Sequence, residues 1–144
     1  MNINSIFAWH YEARPYPNDK DFDVQLGCHF EEVLEMLDTI KLSKNSHYLE
    51  TAKHAIATLS LALKRGETSA RIEDRKEFLD AVCDQIVTGI GAAYCAKMFP
   101  VTALEKVDKS NWSKFDEDGR AIRNGSGKII KGPNYEKPDL EGLY

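Results

Sequence analysis

Several features are scarce or missing in this 144-residue chain. No apolar run approaches the roughly 20 residues that span a bilayer. The longest, Ile86 to Ala96, is broken by Gly89 and Gly91 and ends at Lys97, so no membrane partner is expected. An excess of positive charge is missing as well. The 19 lysines and arginines stand against 23 acids, a formal charge of -4, with a pI near 5.6. Such a surface does not attract long phosphate backbones, which excludes bulk nucleic-acid binding. Cysteine is limited to Cys28, Cys83 and Cys95, with no CxxC spacing. That excludes a disulfide scaffold and a zinc ribbon, and predicts buried thiols in a reducing compartment. The first residues carry neither the basic stretch nor the apolar run of a signal peptide, so a cytoplasmic protein is expected. None of His10, His29, His47 and His54 lies three residues after a glutamate. This argues against a di-iron carboxylate bundle, which needs Glu-x-x-His pairs.

What is present suits one folded domain over residues 1–144, since 42% of the residues are hydrophobic and 29% charged. Ile3, Ile6, Phe7 and Tyr11 form a short helical stripe, and Arg14 to Phe22, with two prolines and Asn18-Asp19, reads as a loop. Phe30, Val33, Leu34, Leu37 and Ile40 recur at helical spacing and predict a helix over Val24–Leu42. A second long helix is predicted over Tyr48–Arg65, with Ser46 as N-cap and Gly66 as the stop. Ser69 is expected to cap a third over Ala70–Met98, and Pro100 either ends it or starts a short further helix holding Leu104 and Val107. After Asp108 the composition turns polar and rich in turn residues, and Asn124 to Gly127 can close a small hairpin. The expected architecture is therefore all-α: an antiparallel helical bundle over about 1–108, with an irregular tail over about 109–144 laid across it.

Two helix faces are acidic. Glu31, Glu32 and Glu35 share one sector of roughly 100°, opposite Phe30, Leu34 and Leu37. Glu77, Asp80 and Asp84 share another, with Phe78, Leu79, Val82 and Ile86 expected to face the core. Surface helices commonly mix charge signs, yet residues 31–38 hold four acids and no base. Like charges about 6 Å apart repel by roughly 3 kcal/mol at an effective dielectric near 20. Two such faces in opposition need proton uptake or a bound cation. Oxygen-only donors suit a hard ion such as Mg²⁺ or Mn²⁺. A non-enzymatic module whose acidic stripes meet a basic partner is the alternative.

Glu31-Glu32-Val33-Leu34-Glu35 matches EExxE, and Glu77-Phe78-Leu79-Asp80 matches ExxD. In this order on two helices they resemble the signature of the all-α nucleoside triphosphate pyrophosphohydrolases, which include MazG, the dimeric dUTPases and phosphoribosyl-ATP pyrophosphohydrolase. The tail, Ser110-Asn111-Trp112-Ser113-Lys114-Phe115 followed by Gly127 to Tyr135, resembles that of small MazG-like proteins, many of them phage-borne. The likeness covers roughly residues 24–140. It implies Mg²⁺ held by Glu32, Glu35, Glu77 and Asp80, with Asp84 as a further candidate. It implies hydrolysis of a nucleoside triphosphate between the α and β phosphates, and a homodimer or homotetramer. Glu31, beside the ligand pair, is the candidate general base or the holder of an outer water. A triphosphate also needs cationic and amide donors, expected from Asn111, Ser113, Lys114, Lys128 and Lys131 in the tail. Trp9, His10, Gln25, His29 and Tyr135 are candidates for meeting the base. In two respects the chain departs from the family pattern: the gap between Glu35 and Glu77 is long, and Trp112 stands where a smaller apolar residue is expected.

Overall fold

A computed structural model describes residues 3–144, and the fold is all-α. Five helices run in order: α1 (Ile3–Ala13), α2 (Asp19–Asp38), α3 (His47–Arg65), α4 (Arg75–Cys95) and α5 (Pro100–Trp112). Helix existence follows the apolar spacing, but several ends differ from expectation. α2 begins before Val24 because Asn18 is a cap rather than a loop residue. Its carboxamide accepts the Asp21 N–H at 3.0 Å, and the Asp21 carboxylate accepts the Asn18 N–H at 3.2 Å. The short polar side chains that signal turns also make good caps. α4 begins at Arg75 rather than Ala70, because Asp74, and not Ser69, accepts the N–H groups of Lys76 and Glu77. Ala70 is kept out of the helix by the Asp23 carboxylate, which accepts its N–H at 2.8 Å. Ser46 precedes α3 but makes no side-chain cap bond, whereas Gly66 stops that helix at φ +71 as expected.

The chain folds as two compact units, residues 1–15, 71–122 and 129–144 in one, residues 16–70 and 123–128 in the other. In the first, the core is Trp9, Ala13, Phe115 and Ile129, with Trp112 and Ala121 packed against it. Trp9 stacks on Phe115 at 5.7 Å between ring centres, and Trp112 meets Phe115 edge-on at 5.5 Å. Each indole N–H is satisfied: Trp9 donates to the Asn111 carbonyl at 2.8 Å and Trp112 to the Ser5 hydroxyl at 3.0 Å. The polar tail is thus a supplier of core residues. It is also stitched to α5, because Ser110 donates to the Glu136 carbonyl and the Glu136 N–H donates to Ser113. Gly132 passes so close that a Cβ there would lie 2.5 Å from the Lys114 carbonyl oxygen. The expected hairpin is reduced to single backbone bonds, Asn124 N–H to Lys128 O and Ile130 N–H to Ile122 O. Among the described residues it carries no strand beyond one isolated bridge.

The second unit is the α2–α3 helix pair. Val24, Leu49 and Leu63 are buried, and Gly27 marks the close approach. A Cβ on Gly27 would meet the Ser60 carbonyl oxygen at 2.9 Å and the Lys64 side chain at 2.8 Å. Ser60 donates to the Gly27 carbonyl at 2.7 Å, so the same crossing carries a buried hydrogen bond.

Gly27→Ala sets helix propensity, worth up to about 1 kcal/mol in favour of Ala, against an overpacking cost of about 1–3 kcal/mol. The Lys64 side chain can shift, but the Ser60 carbonyl at 2.9 Å is backbone and yields little, so net destabilisation is expected as a lower urea midpoint. Phe115→Ala removes the ring between two tryptophans and is expected to cost about 3–5 kcal/mol in the same assay.

Candidate functional site

In the second unit the acidic face of α2 is in place. Glu32 and Glu35 are exposed and make no hydrogen bond or ion pair among the described residues. Glu31 differs from its neighbours. Lys64, in the last turn of α3, reaches one of its oxygens at 2.8 Å, and Lys128 reaches the other at 2.5 Å. Partial burial pushes the Glu31 carboxyl up, but the hydrogen bonds from Lys128 and then Lys64 outweigh it, and the group sits below the ordinary glutamate value. The same bond from Glu31 raises the Lys128 amine above its ordinary value against a smaller effect of burial, with Cys28 and Glu32 adding to the rise. Gln25 and His29 are half-buried on the same helix.

In the first unit Glu77, Asp80 and Asp84 stand exposed along α4, and Glu77 has a loose ion pair with Lys76 at 3.7 Å. Beyond α5, Lys114 donates to the Asn111 side-chain oxygen at 2.7 Å and lies 5.9 Å from the centre of the Trp9 ring. Ser113 donates to the Ser110 carbonyl and accepts from Glu136. Lys131 lies over the Tyr135 ring at 4.6 Å. Asn111, Ser113 and Lys114 therefore form one cluster, with Lys131 and Tyr135 as a separate pair. Trp9 belongs to the core. His10 packs edge-on against it at 4.9 Å. Burial, and then the Arg14 guanidinium, lower the His10 value.

Two expectations are corrected. The thiols are not buried: Cys83 and Cys95 are exposed and Cys28 is partly so. The apolar side of α4 does not face a core, since the helix has no buried residue. Phe78 and Val82 are half-covered, but Leu79 and Ile86 are open to solvent. Lys64 was not singled out from the sequence. Its signal was Gly27, whose missing side chain lets the last turn of α3 lie against α2.

Within either unit, no three His, Cys, Asp or Glu side chains are gathered in an arrangement that holds a metal, among the described residues. No single helix among them is long and apolar enough to cross a membrane. No family model matches the chain, and no solved structure matches it. A stretch of 46 residues, 32% of this chain, is 39% identical to nucleolar GTP-binding protein 2 of Pneumocystis carinii. It spans only 10% of that protein.

The Glu31 cluster has a pH signature. A lowered carboxyl contributes stability above its unfolded value, and this is lost as pH falls through the folded value. The raised Lys128 amine contributes below its unfolded value, and this is lost as pH rises through the folded one. The cluster is therefore fully stabilising between the acid and the strongly alkaline range. Glu31→Gln is expected to flatten the fall of the urea midpoint between pH 7 and pH 3.5. A slope equal to that of the parent protein would show that the pairing carries no stability.

Proposed function

We propose that this protein is a Mg²⁺-dependent nucleotide pyrophosphohydrolase, which cleaves a nucleoside triphosphate, deoxy substrates included, between the α and β phosphates. The observation that carries the reading is the unneutralised i,i+3 carboxylate pair Glu32 and Glu35 on α2, set beside a glutamate that is already doubly paired. Carboxylates with no direct ion pair among the described residues, next to lysines bonded to Glu31, form a donor set suited to a hard divalent ion. The ExxD acids Glu77 and Asp80, with Asp84, supply the same donor type on α4 and are equally open. Mn²⁺ would be an acceptable substitute on the same donor grounds. The bound ion would neutralise phosphate oxygens and acidify a water for in-line attack.

The chain's own residues divide the remaining work. Glu31 has both oxygens engaged by amines, which supports a positioning role, holding Lys128 and Lys64 in place, over proton abstraction. Lys128, so held, is a cation for a phosphate oxygen. Lys114 and Asn111 are already mutually bonded, and with Ser113 they offer an amine, an amide and a hydroxyl within one turn. Such a set can hold phosphate oxygens by charge-assisted hydrogen bonds. Lys131 adds a further cation. Tyr135 supplies a ring face, and Gln25 and His29 supply base-edge donors and acceptors.

The deciding experiment is a panel of the common NTPs and dNTPs, GTP among them because of the relative named for binding it, with and without Mg²⁺. Monophosphate plus pyrophosphate supports the proposal, whereas diphosphate plus orthophosphate or no turnover refutes it. Glu32→Gln and Asp80→Asn are expected to lower kcat by about two orders of magnitude or more with unchanged circular dichroism, since both side chains are exposed. Lys114→Ala is expected to raise KM. An acidic interaction module would instead show no Mg²⁺-dependent rise in melting temperature.

A further inference from the structure

The second unit holds a cleft of about 330 Å³ between the first turns of α2, the last turn of α3 and the turn at Asn124. Val24 and Leu63, two of the unit's few buried side chains, line it and give it an apolar floor. Its charged lining is Lys20, Lys64 and Arg65 against the single carboxylate of Asp23. On a chain of formal charge -4, this local excess of cations runs against the overall balance. A concave surface lined by one sign of charge concentrates ions of the other.

These charges are unequally committed. Lys64 is bonded to Glu31 at 2.8 Å. The Asp23 carboxylate, 8% exposed, accepts the Ala70 N–H at 2.8 Å. Arg65 has only a loose contact with Glu67 at 3.8 Å, in which both side chains are exposed, and such a pair contributes little. Lys20 makes no ion pair among the described residues and stands in the first turn of α2, the positive end of that helix. The negative end of α3 is partly satisfied, because the Gly66 and Glu67 N–H groups donate to the Leu63 and Ala62 carbonyls.

The third wall is held in place before any ligand arrives. The Asn124 side-chain oxygen accepts the Ser126 N–H, the Ser126 hydroxyl and the Lys128 N–H. Arg123 pairs with Asp21 at 3.0 Å and Lys128 with Glu31, so the turn is tied to α2 on both sides. Gly125 lines the cleft at the tip of this turn, and its N–H has no internal partner among the described residues. Donors fixed in advance lose less freedom on binding.

Two uncommitted cations and a backbone N–H suit a dianion with several acceptor oxygens. Arginine offers a planar fork to such a group and lysine a point charge. A phosphate monoester carries about -1.5 to -2 near neutral pH, which matches Lys20 and Arg65. A bare oxyanion leaves the Val24 and Leu63 floor uncovered, whereas the volume falls at the small end of the range for organic ligands. We propose that this cleft binds a small phosphate monoester, its phosphoryl group held by Lys20 and Arg65 and its apolar body laid over Val24 and Leu63. The site uses neither the Glu32–Glu35 pair nor a metal. It goes beyond the hydrolase reading, and the two fail independently.

The test is isothermal titration calorimetry of the full chain with phenyl phosphate near neutral pH, in excess EDTA. This probe has the dianion and an apolar ring but is not a nucleotide. One-to-one binding is expected, tighter than that of inorganic phosphate in the same buffer. Lys20→Ala and Arg65→Ala are each expected to weaken it by about tenfold, with unchanged circular dichroism because both side chains are exposed. Lys44→Ala, an exposed lysine of the same unit outside the cleft, and Glu32→Gln are expected to leave it unchanged. Absence of binding, binding that survives the Lys20→Ala/Arg65→Ala double variant, or an equal loss in Lys44→Ala overturns the proposal. Inorganic phosphate bound as tightly as phenyl phosphate overturns the assignment of a monoester.

Discussion

Interior surface is the scarce resource in this chain. Five helices and 144 residues share only seven buried hydrophobic side chains among the described residues, and no large side chain is completely enclosed. Burial of apolar surface is the dominant favourable term in folding, so each unit must make each buried group count. The first does so by drawing Phe115 and Ile129 out of an otherwise polar tail and packing them on Trp9. The second does so at Gly27, where a missing side chain lets two helix backbones come close enough for a buried hydrogen bond from Ser60. Elsewhere the helices are held by caps and ion pairs, and much apolar surface is left at the periphery.

This scarcity explains what could be read from the sequence. The first four helices were legible because the 3.6-residue period survives even where burial is shallow, whereas α5 was legible only as one alternative at Pro100. Their ends were less so, since Asn18 and Asp74 look the same whether they make a turn or cap a helix. The larger failure was at α4. Periodicity reports that a face is apolar, but it does not say what covers that face. Phe78, Leu79, Val82 and Ile86 read as a core side, and Leu79 and Ile86 are open. The cysteines failed for the same reason, because Cys83 sits on that stripe. The tail shows the converse. Turn residues and lysines marked it as irregular, which it is, but two isolated apolar residues within it carry the core of a unit.

The electrostatics were partly legible. The acidic stripe of α2 was visible as a run without bases, and an offset for its repulsion was required. The structure shows that the offset is uneven. Glu31 takes two lysines, one from the end of α3 and one from beyond the Asn124 turn, while Glu32 and Glu35 take none. Lys128 was singled out as a tail cation, but Lys64 was not. Its side chain reaches α2 only because of Gly27, a link that needs the crossing point of the helices and not only their faces.

The division among three adjacent glutamates is itself informative. If the stripe were only a solvated surface, the nearest amines would spread over it, because exposed ion pairs contribute little and choose no particular partner. Here two amines converge on one half-buried carboxylate and leave the two open ones unneutralised. Convergence on Glu31 fixes Lys128 in the acidic neighbourhood without cancelling the charge of Glu32 and Glu35. A site for a metal-bound polyphosphate has the same two needs, a negative set for the ion and an anchored positive group for the phosphate. In the proposed reading Glu32 and Glu35 would serve the first need and Lys128 the second, and the pairing of Lys128 with Glu31 is also what fastens the tip of the tail to its own unit.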